Sequence, residues 1–232
     1  MLETRLLADE LMDADNLDAE TYVAVVHDLA KVNTLTMARR PTLSFLEKIA
    51  LRHDRRQGAI RILDVGFGDG DMLRRIAKWA ASVGQEVELI GIDLNPRSTL
   101  AATAATPAAL KIDYQTGDYA DLAGQDWDVI LSSLVAHHMT HDQLVAFLRF
   151  MDAEGGAGWF INDLHRHGFA YLIFSLLATI MRWHPIVRHD GLLSVARSYR
   201  PQEWPPMLAE AGVTGATVAR EFPFRLCVTK IR

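Results

Sequence analysis

The sequence predicts an α/β domain: a mostly parallel sheet of seven strands with a terminal antiparallel hairpin, preceded by helices. Three observations carry this. From residue 59 short apolar runs alternate with stretches of helical spacing; a glycine-rich turn joins the first run to the first helix; and Phe222-Pro223-Phe224 divides the last two strand-like runs. Short apolar strands separated by helices need cover on both faces, the condition of a parallel sheet.

In chain order, residues 1–57 read as a helical cap and residues 58–232 as the main domain. Asn16-Leu17-Asp18-Ala19-Glu20 supplies a cap and an acidic first turn, and Tyr22, Val25, Val26 and Leu29 follow at helical spacing. Pro41-Thr42 starts a second helix with Leu43, Leu46, Ile49 and Ala50 on one face, closed by Gly58. Strands are predicted over 59–65, 86–92, 111–116, 127–132 and 158–162, with helices over 71–83, 96–105 and about 141–151. Pro96 suits a first helical turn, and Thr140-His141-Asp142-Gln143 matches a capping box. Residues 217–221 and 225–231 form the hairpin. An insertion over about 164–200 follows strand five; its apolar run, Phe169 to Met181, is 13 residues long, against the roughly 20 needed to cross a bilayer, and is expected to be a buried or lid helix.

Composition narrows the function. Half of the 232 residues are hydrophobic and 23% charged, enough for a sizeable core. A net charge of -5 argues weakly against nucleic acid as the main partner, since phosphate contacts need a basic surface; Arg39-Arg40 and the run from Arg52 to Arg56 make a local basic cluster that two turns of exposed helix explain as well. The single cysteine, Cys227, fits a reducing compartment, and no secretory signal is visible in the first twenty residues, which carry seven acids and no uninterrupted apolar core, so a cytoplasmic protein without a transmembrane segment is expected.

The glycine turn Gly66-Phe67-Gly68-Asp69-Gly70 follows a strand and opens a helix, where bare backbone can approach a ligand closely. Asp93, at the end of the next strand, can accept both hydroxyls of a ribose. The spacing is G-x-G-x-G rather than that of a dinucleotide fingerprint, and Asp64, Asp69 and Asp71 would repel a pyrophosphate. The ligand that suits this turn is cationic at one end and ribosylated in the middle.

At this point a resemblance becomes specific. LDVGFGDGD, GIDLNP, TGDYADL and DVILSSLVAHHM, in that order over about residues 59–163, resemble the successive motifs of class I S-adenosylmethionine (SAM)-dependent methyltransferases. The pattern is most similar to the small-molecule branch of ubiquinone and menaquinone biosynthesis. ELMDADNLDAETY and NDLHRHGFAYLIFSLL further resemble bacterial members associated with polyketides or phenolic lipids. The resemblance implies a Rossmann-like sheet, SAM as methyl donor and S-adenosylhomocysteine (SAH) as product. It implies a cofactor site of Asp64, Gly66, Gly68, Gly70, Asp93, Leu94, Asp118 beside the adenine amine, Tyr119 and Ser132.

Methyl transfer to a hydroxyl needs a base. A phenol with pKa near ~10 is ionised in about one molecule per thousand at neutral pH, a shortage of roughly 4 kcal/mol. His137 and His138 follow the fourth strand at the edge where such sheets bind ligands, and His165 follows the fifth. His138 and His165 are the favoured candidates; each has an equal structural reading, His138 tying the loop to backbone and His165 capping the next helix. Arg166 could steady an oxyanion, and His189-Asp190 reads either as an imidazole–carboxylate pair or as an Asp-Gly turn. A metal set of His137, His141 and Asp142 is disfavoured because the capping box puts His137 before the helix, and no metal is expected.

The expected activity is methylation of a small apolar or aromatic hydroxyl-bearing metabolite, on oxygen in preference to carbon, as in secondary metabolism. A catalytically silent SAM-binding partner protein is the alternative from another class. Ser132-Ser133-Leu134-Val135 stands where amine methyltransferases commonly carry an Asn- or Asp-Pro-Pro-aromatic loop. The apolar insertion reads either as a wall for an apolar substrate or as its own core or a dimer contact; monomer and homodimer both remain open.

Overall fold

The computed structural model describes residues 2–14, 17–52 and 58–232. Its centre is a seven-stranded sheet in the order β3-β2-β1-β4-β5-β7-β6. The strands are β1 Ile60–Val65, β2 Val87–Asp93, β3 Ile112–Thr116, β4 Val129–Ser133, β5 Gly158–Leu164, β6 Thr217–Glu221 and β7 Arg225–Ile231. β1 to β5 pair in parallel, whereas β7 runs antiparallel to both β5 and β6. Ile60, Ile62, Leu63 and Val65 of β1 are all buried, because alternate side chains meet helices on opposite faces of the sheet.

On one face lie α2 (Arg40–Ala50) and α3 (Asp71–Val83), whose Phe45, Leu46, Ile49, Leu73 and Ile76 meet Ile60, Ile62, Val129 and Phe160. On the other lie α5 (His141–Glu154) and α8 (Trp204–Glu210), whose Phe147, Leu148 and Trp204 meet Leu63, Ile130 and Ile161. The remaining helices are α1 (Ala19–Leu35), α4 (Pro96–Ala105), α6 (Gly168–Ile180) and α7 (Pro185–Arg197). A separate apolar cluster of Val25, Val32, Ala178, Trp183 and Val187 joins α1, α6 and α7 above the strand ends. Strand order reverses between β1 and β4, so the carboxyl ends of these two strands open the crevice in which such sheets bind ligands.

Local signals set most boundaries. Asp18 caps α1, accepting from Thr21 N at 2.8 Å, and Thr140 and Gln143 form the capping box of α5. Asn16 and residues 53–57 of the basic run lie outside the described residues. Non-local pairing moved other ends: β5 extends two residues beyond its expected limit, to Leu164, because β7 keeps pairing as far as Leu164↔Arg225.

Two expectations for the insertion change. His189-Asp190-Gly191 is not a turn; it lies inside α7, where a side chain at Gly191 would collide with the Phe174 ring of α6. The run Phe169–Met181 is not a fully buried helix: it forms α6 with Met181 as its C-cap, and only its inner side is covered. Among the described residues no helix is long and apolar enough to cross a membrane.

Before α1, the N-terminal segment crosses the top of the sheet as a strap. Leu6 N donates to Ala196 O at 3.1 Å, the Arg5 guanidinium donates to His137 O and Met139 O, and Leu11 N and Met12 N donate to the Asp190 carboxylate at 3.0 and 2.9 Å.

Candidate functional site

The strap, α1, α6, α7 and the strand ends enclose a cavity of about 540 Å³, within the range of small-molecule sites. One end is the glycine turn. Gly66 (φ 76°) and Gly70 (φ 73°) are left-handed, and a methyl on either would run into Val135 or the Tyr114 hydroxyl. Gly68 N donates to Asp93 Oδ2 at 3.0 Å and Asn95 N to its Oδ1 at 2.9 Å, fixing that carboxylate at the cavity wall.

The acids of the turn are not alike. Asp69 is paired with Arg74 at 3.0 Å and Asp71 with Arg39, so neither presents free negative charge, contrary to the expected repulsion of phosphate by all three. Asp64 differs. It lines the cavity, is 1% exposed, and its Oδ1 has no hydrogen-bond partner among the described residues. Burial, reinforced by Asp93, pushes its pKa up to about 8. A buried carboxylate without a donor lacks a cation or an N–H group, so the ammonium-bearing end of a cationic ligand fits here.

The other predicted cofactor contacts divide. Leu94 lines the cavity and is exposed; Gly117 and Tyr119 line it too, Tyr119 held against Phe147 and Phe150 at ring distances of 4.8 Å. Asp118 is at the exposed rim, where it accepts from Ala120 N at 3.0 Å. Ser132 is turned away: it is 1% exposed and its hydroxyl donates to Val65 O at 3.1 Å. The next residue, Ser133, lines the cavity instead, as strand alternation requires. Leu134 then takes a left-handed φ of 63°, uncommon for a branched residue, to start the loop that carries the histidines.

His137 is 2% exposed. Asp163 holds it twice, accepting from its backbone N at 2.8 Å and contacting Nδ1 at 2.7 Å. On its far side Nε2 lies 3.6 Å from Glu10 Oε1, and His138 Nε2 lies 3.7 Å from the same oxygen. Burial opposes charge on His137, but Asp163, with Glu10 behind it, holds its pKa at about 9. The same contacts outweigh burial at Glu10, whose pKa falls to about 2, and at Asp163, whose pKa is lowered. Glu10 Oε1 also accepts from Ser194 Oγ at 2.7 Å and faces Arg197 at 3.9 Å. The ligand atoms of Glu10, His137 and His138 lie within 4.8 Å of one another, a spacing that could share one ion. A divalent ion there would have to displace the proton of His137 and stand beside the Arg197 guanidinium.

Glu10, His137 and His138 all line the cavity, and His138 is the open one, its side chain 31% exposed. His165 is not among the lining residues. Its backbone N donates to Phe224 O, its ring faces His167 at 5.4 Å, and burial, then Arg220, His167 and Arg200, lower its pKa to about 4. Arg166 is buried in an ion pair with Glu203, away from the cavity, so it steadies no oxyanion there. His189 does pair with Asp190, at 2.9 Å, but Asp190 holds the strap. His141 pairs with Glu210 at the surface, so the set His137, His141 and Asp142 is not assembled.

Sequence reading missed Glu10, which sits in an acidic stretch that looks solvated. The signal was indirect: two adjacent histidines, one of them bound to be buried, with no acid in their own loop. Apolar side chains, among them Met12, Val25, Leu29, Phe174, Val187 and Phe224, complete the wall beyond the histidines.

Comparison with known proteins agrees with this layout. Residues 62–153 match the model of a family described as a methyltransferase domain. The ubiquinone biosynthesis O-methyltransferase of Rhizobium etli is 26% identical over 159 residues, 66% of this chain and 60% of that protein. Its counterpart from Rhizobium johnstonii is 25% identical over the same lengths. The chain thus spans about three-fifths of the length of the curated relatives it matches. Among solved structures, plantazolicin methyltransferase BamL in complex with a triazolic desmethylPZN analog and SAH superimposes with a TM-score of 0.62 at 15% identity, over 86% of this chain and 71% of that one. Magnesium protoporphyrin IX methyltransferase from Synechocystis PCC 6803 with bound SAH gives 0.57 at 14% identity, over 95% and 90%. The shared fold is the Rossmann-like class I methyltransferase sheet.

Proposed function

For a chain that carries a methyltransferase domain on the class I methyltransferase fold, we propose that the cavity binds SAM and transfers its methyl group to a small, apolar or aromatic, hydroxyl-bearing metabolite. The observation that carries this reading is the buried Asp64 carboxylate, without a donor of its own, in the same cavity as the open His138. Bound SAM would supply an electrophilic methyl group, and the chain's own residues do the rest.

Gly66, Gly68 and Gly70 let the backbone close on the donor, Asp64 takes its ammonium end, and Asp93 the ribose hydroxyls. Leu94 and Tyr119 cover the base, with Asp118 at the rim. His138 is the group placed to accept the acceptor's proton. His137, held charged between Asp163 and Glu10, positions that loop. Apolar walls exclude water, which strengthens these interactions. Methylation on oxygen is favoured because the relatives are named O-methyltransferases; carbon methylation of a similar acceptor would use the same base.

Calorimetric titration with SAM, SAH and NAD, followed by transfer of labelled methyl to a panel of phenols, tests the reading. Binding of SAM and SAH but not NAD is expected, with transfer that depends on His138. Binding without transfer to any acceptor would favour a silent SAM-binding partner protein, and absence of SAM binding would overturn the proposal. Label released from the product as methyl iodide by hot hydriodic acid would assign oxygen, and label retained would assign carbon.

A further inference from the structure

We propose that the outer face of α6 docks on an anionic lipid surface. Gly168–Ile180 contains no charged residue, and its inner side is already occupied. Ala170 and Phe174 face the cavity, Ala178 is buried against α1 and α7, and the Phe174 ring packs on Trp183 at 5.9 Å. On the outside Phe169, Leu172, Leu176, Ile180 and Met181 remain 58, 67, 59, 65 and 49% exposed. The first four recur at intervals of three and four residues, so they form one stripe. Phe224 extends it onto the hairpin turn, its ring meeting Phe169 at 5.9 Å, and Phe222 on the same turn is 74% exposed. A helix that is apolar all round is normally covered, and contiguous patches of this kind on a soluble protein mark an interaction surface.

The surrounding charge favours an anionic partner: beside the stripe, Asp28 is paired with Lys31 and Glu221 adjoins Arg220, which leaves the arginines beyond α6 in excess. Residues 164–189 hold three arginines, four histidines and no acid, in a chain of net charge -5. Arg166 is tied to Glu203, but Arg182 and Arg188 are exposed just beyond the stripe. Apolar side chains flanked by cations are the composition of helices that lie in a bilayer interface, where each cation near anionic lipid contributes about 1 kcal/mol. With 13 residues, α6 is about 20 Å long, against roughly 30 Å of hydrocarbon, so it lies in the interface and does not span it. The inference is independent of the methyl-transfer reading. If both hold, the acceptor end of the cavity is one helix away from lipid.

Co-sedimentation of the full chain with vesicles tests it, comparing phosphatidylglycerol–phosphatidylcholine mixtures with pure phosphatidylcholine. We expect about tenfold stronger partition to the anionic vesicles, falling as salt screens the arginines. Leu172→Glu with Leu176→Glu should abolish partition, and Arg182→Gln with Arg188→Gln should lower it about tenfold and remove its salt dependence. Both pairs are exposed, so an unchanged thermal midpoint serves as folding control, and Leu172→Ser with Leu176→Ser replaces the first pair if it fails that control. No partition to anionic vesicles, equal partition by the glutamate or serine variants, or a dimer in ultracentrifugation that these variants dissociate would each overturn the proposal.

Discussion

Glu10 and His137, far apart in the chain, meet with Oε1 3.6 Å from Nε2 and side chains 3 and 2% exposed. The same Glu10 oxygen stands 3.7 Å from His138, so one carboxylate from the strap orients both rings of the loop after β4. Glu10→Gln keeps the shape and removes the charge. Turnover should fall about 10- to 100-fold with SAM affinity within about twofold, and the pH–rate profile should shift. Steady-state kinetics from about pH 6 to 9 check this; an unshifted profile would restrict Glu10 to holding the strap.

His138 and His165 make contrasting predictions. His138→Gln should lower kcat by about 100-fold or more, whereas His165→Gln should leave it within about twofold, since only the first lines the cavity. Single-turnover rates at saturating SAM separate the two, and equal loss in both variants would refute the assignment of the base.

Asp64 should release a proton when it takes up a cation. Its pKa of about 8 leaves it mostly protonated at neutral pH, and a bound ammonium group would hold it ionised. SAM affinity should therefore rise as pH increases towards about 8 and level off above it. Calorimetry near pH 7 in buffers of different ionisation enthalpy should give close to one proton released. Asp64→Asn should abolish that release and weaken binding by about 2 kcal/mol, or ~30-fold.

Stability should carry the mark of His137. Its folded pKa of about 9 stands above its unfolded value of ~6.5, so the folded state keeps the proton more tightly between the two. The stabilisation is full below about pH 6.5 and is lost as pH rises through about 9. Asp163→Asn removes the carboxylate that dominates the shift; it should cost about 3 kcal/mol at pH 6 and flatten the decline above it. Urea unfolding at several pH values measures both effects.

Elements with local signals were legible in the sequence. The bounds of α3, α4, β6 and β7 follow from glycines, Pro96 and the Phe222-Pro223-Phe224 turn, and the glycine-turn wall of the cavity could be read because its residues lie in one contiguous stretch. What failed was set by tertiary contacts. His165 shares a sheet edge with His138, but its bridge to Tyr199 and its bond to Phe224 place it by the hairpin. Ser132 was displaced by one step of strand alternation, and Asp-Gly read as a turn because nothing local announces that Phe174 packs on Gly191. Glu10 could not be found from its neighbours in sequence, since Ser194, His137 and Arg197 define its position.

The strap also sets an order of assembly. Arg5, Leu6, Glu10 and Leu11 are synthesised well before Arg197, Ala196, Ser194 and Asp190, which fasten them in turn. Contacts of such sequence separation form slowly, because a long loop must close before they yield any stabilisation. A nascent or refolding chain would therefore complete its donor crevice before its histidine loop gains the Glu10 carboxylate. Catalytic competence should lag behind recovery of the sheet in a refolding experiment.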